Sequence, residues 1–413
     1  MGKTEFIINM LNAILFDNSL KSLLDRRIMA AKNWLLHSGI QNIGGETPVT
    51  GGFNAWYDLD NNNYFYTYSE ITGYAITNLL YLYSLKKEEL LLDRAKIAAN
   101  WLIDKALYNS GAVRTRYYYD SKNADKNYSF EGNIVRSFDN GIVLSGLSNL
   151  YNFSSKENYY LISRKIADLI LKMQKKDGLI YPEYDLKKKK LKESYEKWST
   201  QSGSFHVKII LGLVNFSKYS NEKKYENAAR KLCDKILEFQ KEDGRFITFK
   251  ENNTHLHPHC YSAEGLLFGG WYFKNKDYIK SALKATEWLL NSQMENGGIP
   301  SLYVDGRFVK FERSDILSQT LRLATIFLNM DLLGKKYEKN VERLAKRLFE
   351  FQYMKEGSQK GGFFYGYDVD YKTLKEKRNN HLNSWVTMFA LQALIMYKQY
   401  LENRLKVNLR LLV

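Results

Sequence analysis

Several ionisable side chains stand where a short polar opening gives way to a long apolar run: Glu70, Asp139, His206, His257, His259, Glu264, Asp315 and His381. Two carboxylates facing one sugar can act as general acid and as base or nucleophile in glycoside hydrolysis. A His or Tyr pair can instead move a proton at carbon, as lyases and epimerases do, with a cation neutralising an acidic sugar. Glu70 lies between aromatics in Tyr68-Ser69-Glu70-Ile71-Thr72-Gly73-Tyr74. Apolar surroundings raise a carboxyl pKa, which suits a proton donor. Asp139 opens a helix after Phe138, where free amide N–H groups favour the charged form and suit a base or nucleophile. Helix capping is the plainer role for Asp139 and for Asp315. Glu264 falls inside an apolar helix, and buried Glu is rare unless paired. His255, His257 and His259 alternate, which predicts a loop. His259-Cys260 is too little for a convergent ligand set, so no metal and no cofactor are expected.

The candidate catalytic residues are therefore Asp139, Glu70, His257 and Asp315. Tyr68, Tyr74, Trp56, Tyr261 and Trp385 are candidates for binding substrate, because flat rings with polar edges match the C–H faces and hydroxyls of sugars. Arg136, Arg313 and Arg322 can hold a carboxylate or phosphate. His206, His259, Glu264 and His381 complete the candidate binding set.

These residues must be positioned by a unit that recurs six times. Each copy has a helix ending in bulky apolar residues, a charged turn with Gly, a short aromatic stretch, and a second, more apolar helix. Anchors at Trp34, Trp101, Leu169, Ile236, Trp288 and Leu348 lie 67, 68, 67, 52 and 60 residues apart. Such a period, with two helices per unit, is a helical-hairpin array. No hairpin can cover its own apolar face, and six are enough to close a ring. The predicted fold is all-α, an (α/α)6 toroid. It spans residues 1–413 as a single domain, with 1–25 as an N-terminal helical extension. The inner helices are expected at 68–83, 138–153, 200–216, 257–273, 313–328 and 381–397. Their starts converge on one mouth, where helix dipoles favour an anionic ligand.

Composition fits this reading. Four Pro in 413 residues suit a helical chain. Two Cys, Cys233 and Cys260, exclude a disulfide framework and suit a reducing compartment. No secretory signal pattern and no membrane-spanning stretch is apparent, so a cytoplasmic location is expected. The net charge of +16 can draw acidic glycans to the surface. The run Lys187, Lys188, Lys189, Lys190 and Lys192 is either a solvated loop or a steering patch. No nucleic-acid-binding motif is present.

Gln174-x3-Gly178, Gln240-x3-Gly244 and Gln293-x3-Gly297 are similar to the turn repeat of squalene and terpene cyclases, whose acidic Asp-x-Asp-Asp motif is absent here. The chain more closely resembles the six-hairpin glycosidase superfamily, and within it the proteins of exopolysaccharide and archaeal N-glycan biosynthesis. Their Tyr-Pro-Glu-Thr-Thr-Gly-Tyr signature is matched by residues 68–74, with Ser69 replacing Pro. Their Phe-Asp-Thr-Gly is matched by Phe138-Asp139-Asn140-Gly141. Their Thr-His-x3-Tyr-x3-Gly-Leu-Leu is matched by His257, Tyr261, Gly265, Leu266 and Leu267, with Leu256 in place of Thr. The resemblance implies a carbohydrate-active, glycoside hydrolase-like enzyme of polysaccharide or glycan biosynthesis. Its partner would be an oligo- or polysaccharide, anionic or containing uronic acid. A lyase or epimerase on the same scaffold, and a non-catalytic glycan-binding or assembly subunit, are the alternatives.

Overall fold

The computed structural model describes residues 3–118, 133–249, 252–369 and 376–413. Its helices alternate along the chain between two layers. The outer helices are α1 (Lys3–His37), α3 (Glu89–Trp101), α5 (Glu157–Met173), α7 (Lys223–Leu237), α9 (Lys276–Asn291) and α11 (Glu338–Phe349). The inner helices are α2 (Ser69–Lys86), α4 (Ser137–Ser154), α6 (Ile210–Ser220), α8 (Leu256–Phe273), α10 (Ser314–Asn329) and α12 (Ser384–Leu401). Burial separates the layers. In α7 the buried positions are Tyr225, Ala228, Ala229, Leu232, Cys233 and Ile236, one stripe at helical spacing. In α8 every residue from Leu256 to Gly270 is buried. A helix with one apolar stripe covers a core from outside, and one buried all round lies within it.

The structure is an (α/α)6 toroid. Five inner helices start within three residues of their predicted positions. The third differs: a 3-10 segment, Ser204–Ile209, precedes α6. α1 runs unbroken from Lys3 to His37, so the expected extension and the first outer helix are one element.

A recurring joint links each hairpin to the next. The side-chain amide of Gln174 donates to Gly178 O at 3.0 Å and to Ala228 O of α7 at 2.9 Å. Gln240 likewise reaches Gly244 O and Ser281 O of α9, and Gln293 reaches Gly297 O and Asn340 O of α11. Gln41 does the same with Gly51 O and Arg94 O of α3. The turn glycine adopts positive φ, +100° at both Gly178 and Gly244. A Cβ there would lie 2.7 Å from Lys231 O and 2.5 Å from Lys284 O, so only Gly lets the next outer helix approach. Leu107 occupies the Gln position in the second copy, yet Gly111 still abuts Lys165. At the sixth joint Gln352 donates to Arg27 O of α1 at 2.9 Å, and Gly361 meets Ala30 O. The last hairpin thereby packs on the first. α12 lies against α1 and α2, and the strand His381–Asn383 pairs antiparallel with Trp56–Asp58.

Short antiparallel strands decorate the outer-to-inner connections, the longest pairing Pro300–Val304 with Arg307–Glu312. They surround the ends where the inner helices begin. The other end of the barrel is filled by residues 405–413. There Leu409, Leu411, Leu412 and Val413 are buried. Asn149 and Asn215 donate to Arg410 O, and Gln392 donates to Leu411 O.

Candidate active site

A cavity of about 570 Å³ opens where the inner helices start. Each inner-helix start contributes to its wall: Glu70 from α2, Asp139 from α4, His206 from the 3-10 segment, and His257 and Tyr261 from α8. Arg313 just before α10 and Trp385 on α12 complete this ring. Trp56, Tyr68, Arg136 and His381 also line it. Strand pairing explains part of this. Trp56 is opposite Asn383 in register, and its ring stacks on Phe65 at 4.8 Å and on His381 at 5.1 Å. The result is a flat aromatic wall suited to a sugar face.

Glu70 and Asp139 are close enough to shift each other's titration. Burial, then the Asp139 charge, pushes the Glu70 carboxyl up to about 8, although Tyr68, Arg116 and Arg136 pull it down. Glu70 lines the cavity and is partly exposed. Asp139 is 2 % exposed, and burial raises its pKa as well; Arg136, Thr115 and Arg116 oppose that rise. The expectation that helix amides alone hold Asp139 ionised is therefore incomplete, because desolvation outweighs them. Arg116 and Arg136 stabilise both anions, whereas the Asp139 charge adds to the rise at Glu70. The first proton leaves Asp139, and its charge then keeps Glu70 protonated.

The remaining candidates fall outside the cavity wall. Glu264, two turns into α8, is fully buried between Lys208, at 2.9 Å, and Arg322, which it also pairs. Arg322 further donates to Gln392 at 2.9 Å. These residues form an ion cluster inside the barrel, beneath the mouth. Asp315 is fully buried, bound by Arg313 at 2.5 Å and lying 3.4 Å from His257 Nδ1. Tyr74 is packed edge-on to Phe389. His259 accepts from the Phe246 N–H at 3.1 Å and lies 3.1 Å from Ala285 O, so it ties α8 to the outer layer. The predicted histidine loop is instead the end of strand Thr254–His255 followed by the first turn of α8. Helical positions two apart point about 200° apart, which sends His257 to the cavity and His259 away from it. Burial lowers the pKa of His206 to about 3 and those of His257 and His259 to about 4, so all three rings are neutral at neutral pH.

Sequence reasoning left out Tyr66, Arg116, Lys197, Trp198 and Tyr365, which also line the cavity. Tyr66 belongs to the aromatic run 64–68. Arg116 stacks over the rings of Tyr66 and Tyr68, at 5.0 and 5.4 Å. Trp198 stands alone after the lysine run, with no periodic signal.

A six-hairpin ring with a two-carboxylate, aromatic mouth defines a carbohydrate-active protein of the six-hairpin glycosidase type. The chain belongs to glycosyl hydrolase family 47, whose profile matches residues 51–303. No curated protein matches the sequence. Among solved structures, cellobiose 2-epimerase from Bacillus thermoamylovorans B4167 is similar at 12% identity and TM-score 0.71, covering 91% of this chain and 99% of that one. An unsaturated glucuronyl hydrolase specific for heparin matches at 16% identity and TM-score 0.66, covering 93% and 99%. A polysaccharide lyase matches at 12% identity and TM-score 0.60, covering 82% and 92%. At these identities the likenesses establish the shared ring. Among the described residues no helix is long and apolar enough to cross a membrane.

Proposed function

We propose that the protein is a glycoside hydrolase acting on a uronic-acid-containing glycan, with Glu70 as proton donor and Asp139 as base or nucleophile. The observation that carries this reading is the Glu70–Asp139 pair on the cavity wall, where desolvation and the Asp139 charge push the Glu70 carboxyl up. Protonated Glu70 gives its proton to the departing glycosidic oxygen. Anionic Asp139 either activates water or attacks the anomeric carbon, and the arginines balance its charge. Arg116 supplies positive charge for a sugar carboxylate, beside Arg136 and Arg313, which are already paired with Glu183 and Asp315, and the tryptophans and tyrosines supply stacking faces. The fold it shares with a heparin-specific glucuronyl hydrolase supports the substrate class. Free, buried Cys233 and Cys260 fit work in a reducing cytoplasm, in glycan assembly.

A second reading draws on His257, a neutral imidazole base whose ring lies 4.4 Å from that of Tyr261, and makes the protein a lyase or epimerase. The test is to incubate the protein with heparin- and hyaluronan-derived oligosaccharides. Release of reducing sugar with no unsaturated product supports the hydrolase. Unsaturated or epimerised product replaces it with the second reading. Binding without turnover, unchanged in Asp139→Asn, makes the ring a glycan-binding subunit.

A further inference from the structure

A line of polar groups runs from the ion cluster inside the barrel to the cavity wall and ends on one imidazole. Burial alone would raise the Glu264 pKa. Arg322 and Lys208 outweigh that and hold its carboxyl below the ordinary range, so it is ionised. Gln319 of α10, fully buried, donates its amide N–H to Glu264 Oε2 at 3.4 Å. Turned the other way, the amide oxygen would face the carboxylate, so the anion sets its orientation. That leaves Gln319 Oε1 2.7 Å from His257 Nδ1. An amide oxygen only accepts, so the hydrogen is on Nδ1. Asp315 Oδ2, 3.4 Å from the same nitrogen, is a second acceptor.

The ring is also kept neutral. Burial lowers its pKa to about 4. Asp315 is the main influence opposing this fall, but the Arg313 cation bound to its carboxylate through two nitrogens works the other way and burial prevails. A neutral imidazole with hydrogen on Nδ1 carries its lone pair on Nε2. His257 lines the cavity with its ring against Tyr261 and edge-on to Trp198. Both of its walls are apolar, so the direction of that lone pair is the polar feature it offers a ligand.

We propose that Glu264, acting through Gln319, fixes His257 as its Nδ1–H tautomer and so presents the Nε2 lone pair to the cavity as an acceptor for a ligand hydroxyl. Glu264 and Gln319 are positioning residues that need not touch the ligand. That the hydroxyl belongs to a sugar rests on the function proposed above; the tautomer does not.

The test is nitrogen-15 spectroscopy of the histidine rings in the full-length protein, where six histidines make assignment by substitution practicable. At neutral pH the His257 ring should show a protonated Nδ1 and a bare Nε2. In Gln319→Met, which keeps the bulk and leaves Nδ1 only the more distant Asp315 Oδ2, at 3.4 Å, the share of the Nδ1–H form should fall measurably. Gln319→Glu should restore it, since a neutral acid can donate to Glu264 and accept from His257. A wild-type ring protonated on Nε2, or a Met variant with an unchanged tautomer, overturns the proposal. Should the Met variant fail to fold, the wild-type spectrum and the Glu variant decide. Titration with methyl β-D-glucuronide should then move the Nε2 resonance in wild type and less in Gln319→Met. An unmoved resonance on the correct tautomer removes the sugar reading and leaves the relay.

Discussion

Replacing Glu70 with Gln removes one titrating group while keeping its size and its ability to hydrogen-bond. In the folded protein the Glu70 carboxyl titrates at about 8, against an ordinary value of 4.5. Between those values the folded state holds a proton that the unfolded chain has released. Wild-type stability therefore falls as pH rises through this window, with a slope approaching about 1.4 kcal/mol per pH unit, and levels off above the folded pKa. Gln has no such dependence. The stability of Glu70→Gln relative to wild type should thus climb across the window by roughly 3–5 kcal/mol, nearer the lower figure because the cavity admits water. Urea denaturation of both proteins, repeated at intervals from about pH 5 to about pH 9, reads this difference directly and needs no substrate. Activity should be lost in the same variant, and in wild type it should decline as Glu70 loses its proton above its pKa. A stability difference that stays flat across the range would show that Glu70 titrates like a surface carboxylate. It would then be ionised at neutral pH and unfit to donate a proton.

The structure places Asp139 at the third position of α4, with Arg136 at the N-cap, so it does not cap the helix as the sequence suggested. Asp139→Asn should reduce turnover by about 10²–10⁴-fold without lowering the unfolding midpoint, since Asn keeps the size and removes a buried charge. Near-normal turnover would remove Asp139 from the catalytic pair. Gly244→Ala forces a side chain into a backbone with φ +100° and places its Cβ 2.5 Å from Lys284 O. It should cost about 1–3 kcal/mol of stability while kcat stays unchanged, and an unaffected melting temperature would discount the joint. Calorimetry should show one cooperative transition for residues 1–413, because each repeat is covered only by its neighbours. Two resolved transitions would divide the chain into separate domains.

The ring was readable because burial on all sides leaves a distinct mark. The inner helices are long apolar runs that open with polar residues, and five of them start within three residues of expectation. The third was blurred by its irregular opening, where a 3-10 segment replaces the first helical turns. Position along a helix was harder to judge than membership of one. Glu264 and Arg322 belong to inner helices, but they are turns below the mouth and meet Lys208 instead of solvent. His259 is only two residues from His257, yet the helical twist turns it to the outer layer. The rest of the wall comes from connections of unequal length. Arg116, Trp198 and Tyr365 are carried there by strands and loops of three different repeats, and no period in the sequence relates them.

The joints between hairpins rest mainly on backbone oxygens, a Gln amide and a Gly without a side chain meeting the carbonyls of the next outer helix, although Ser281 and Asn340 also donate to the side chains of Gln240 and Gln293. The backbone part of this fastening does not depend on what its target helix spells. Outer-helix side chains that face away from the core can be exchanged while the spacing and closure of the ring persist. This gives a physical route by which chains agreeing at 12% of positions can superpose over 91% of this one. It also divides the molecule's freedom to change. Substitutions accumulate at little cost on the outer wall and in the loops above the mouth, whereas the turn glycines are held fixed by steric necessity. New specificities can therefore be tried at the mouth without reopening the ring.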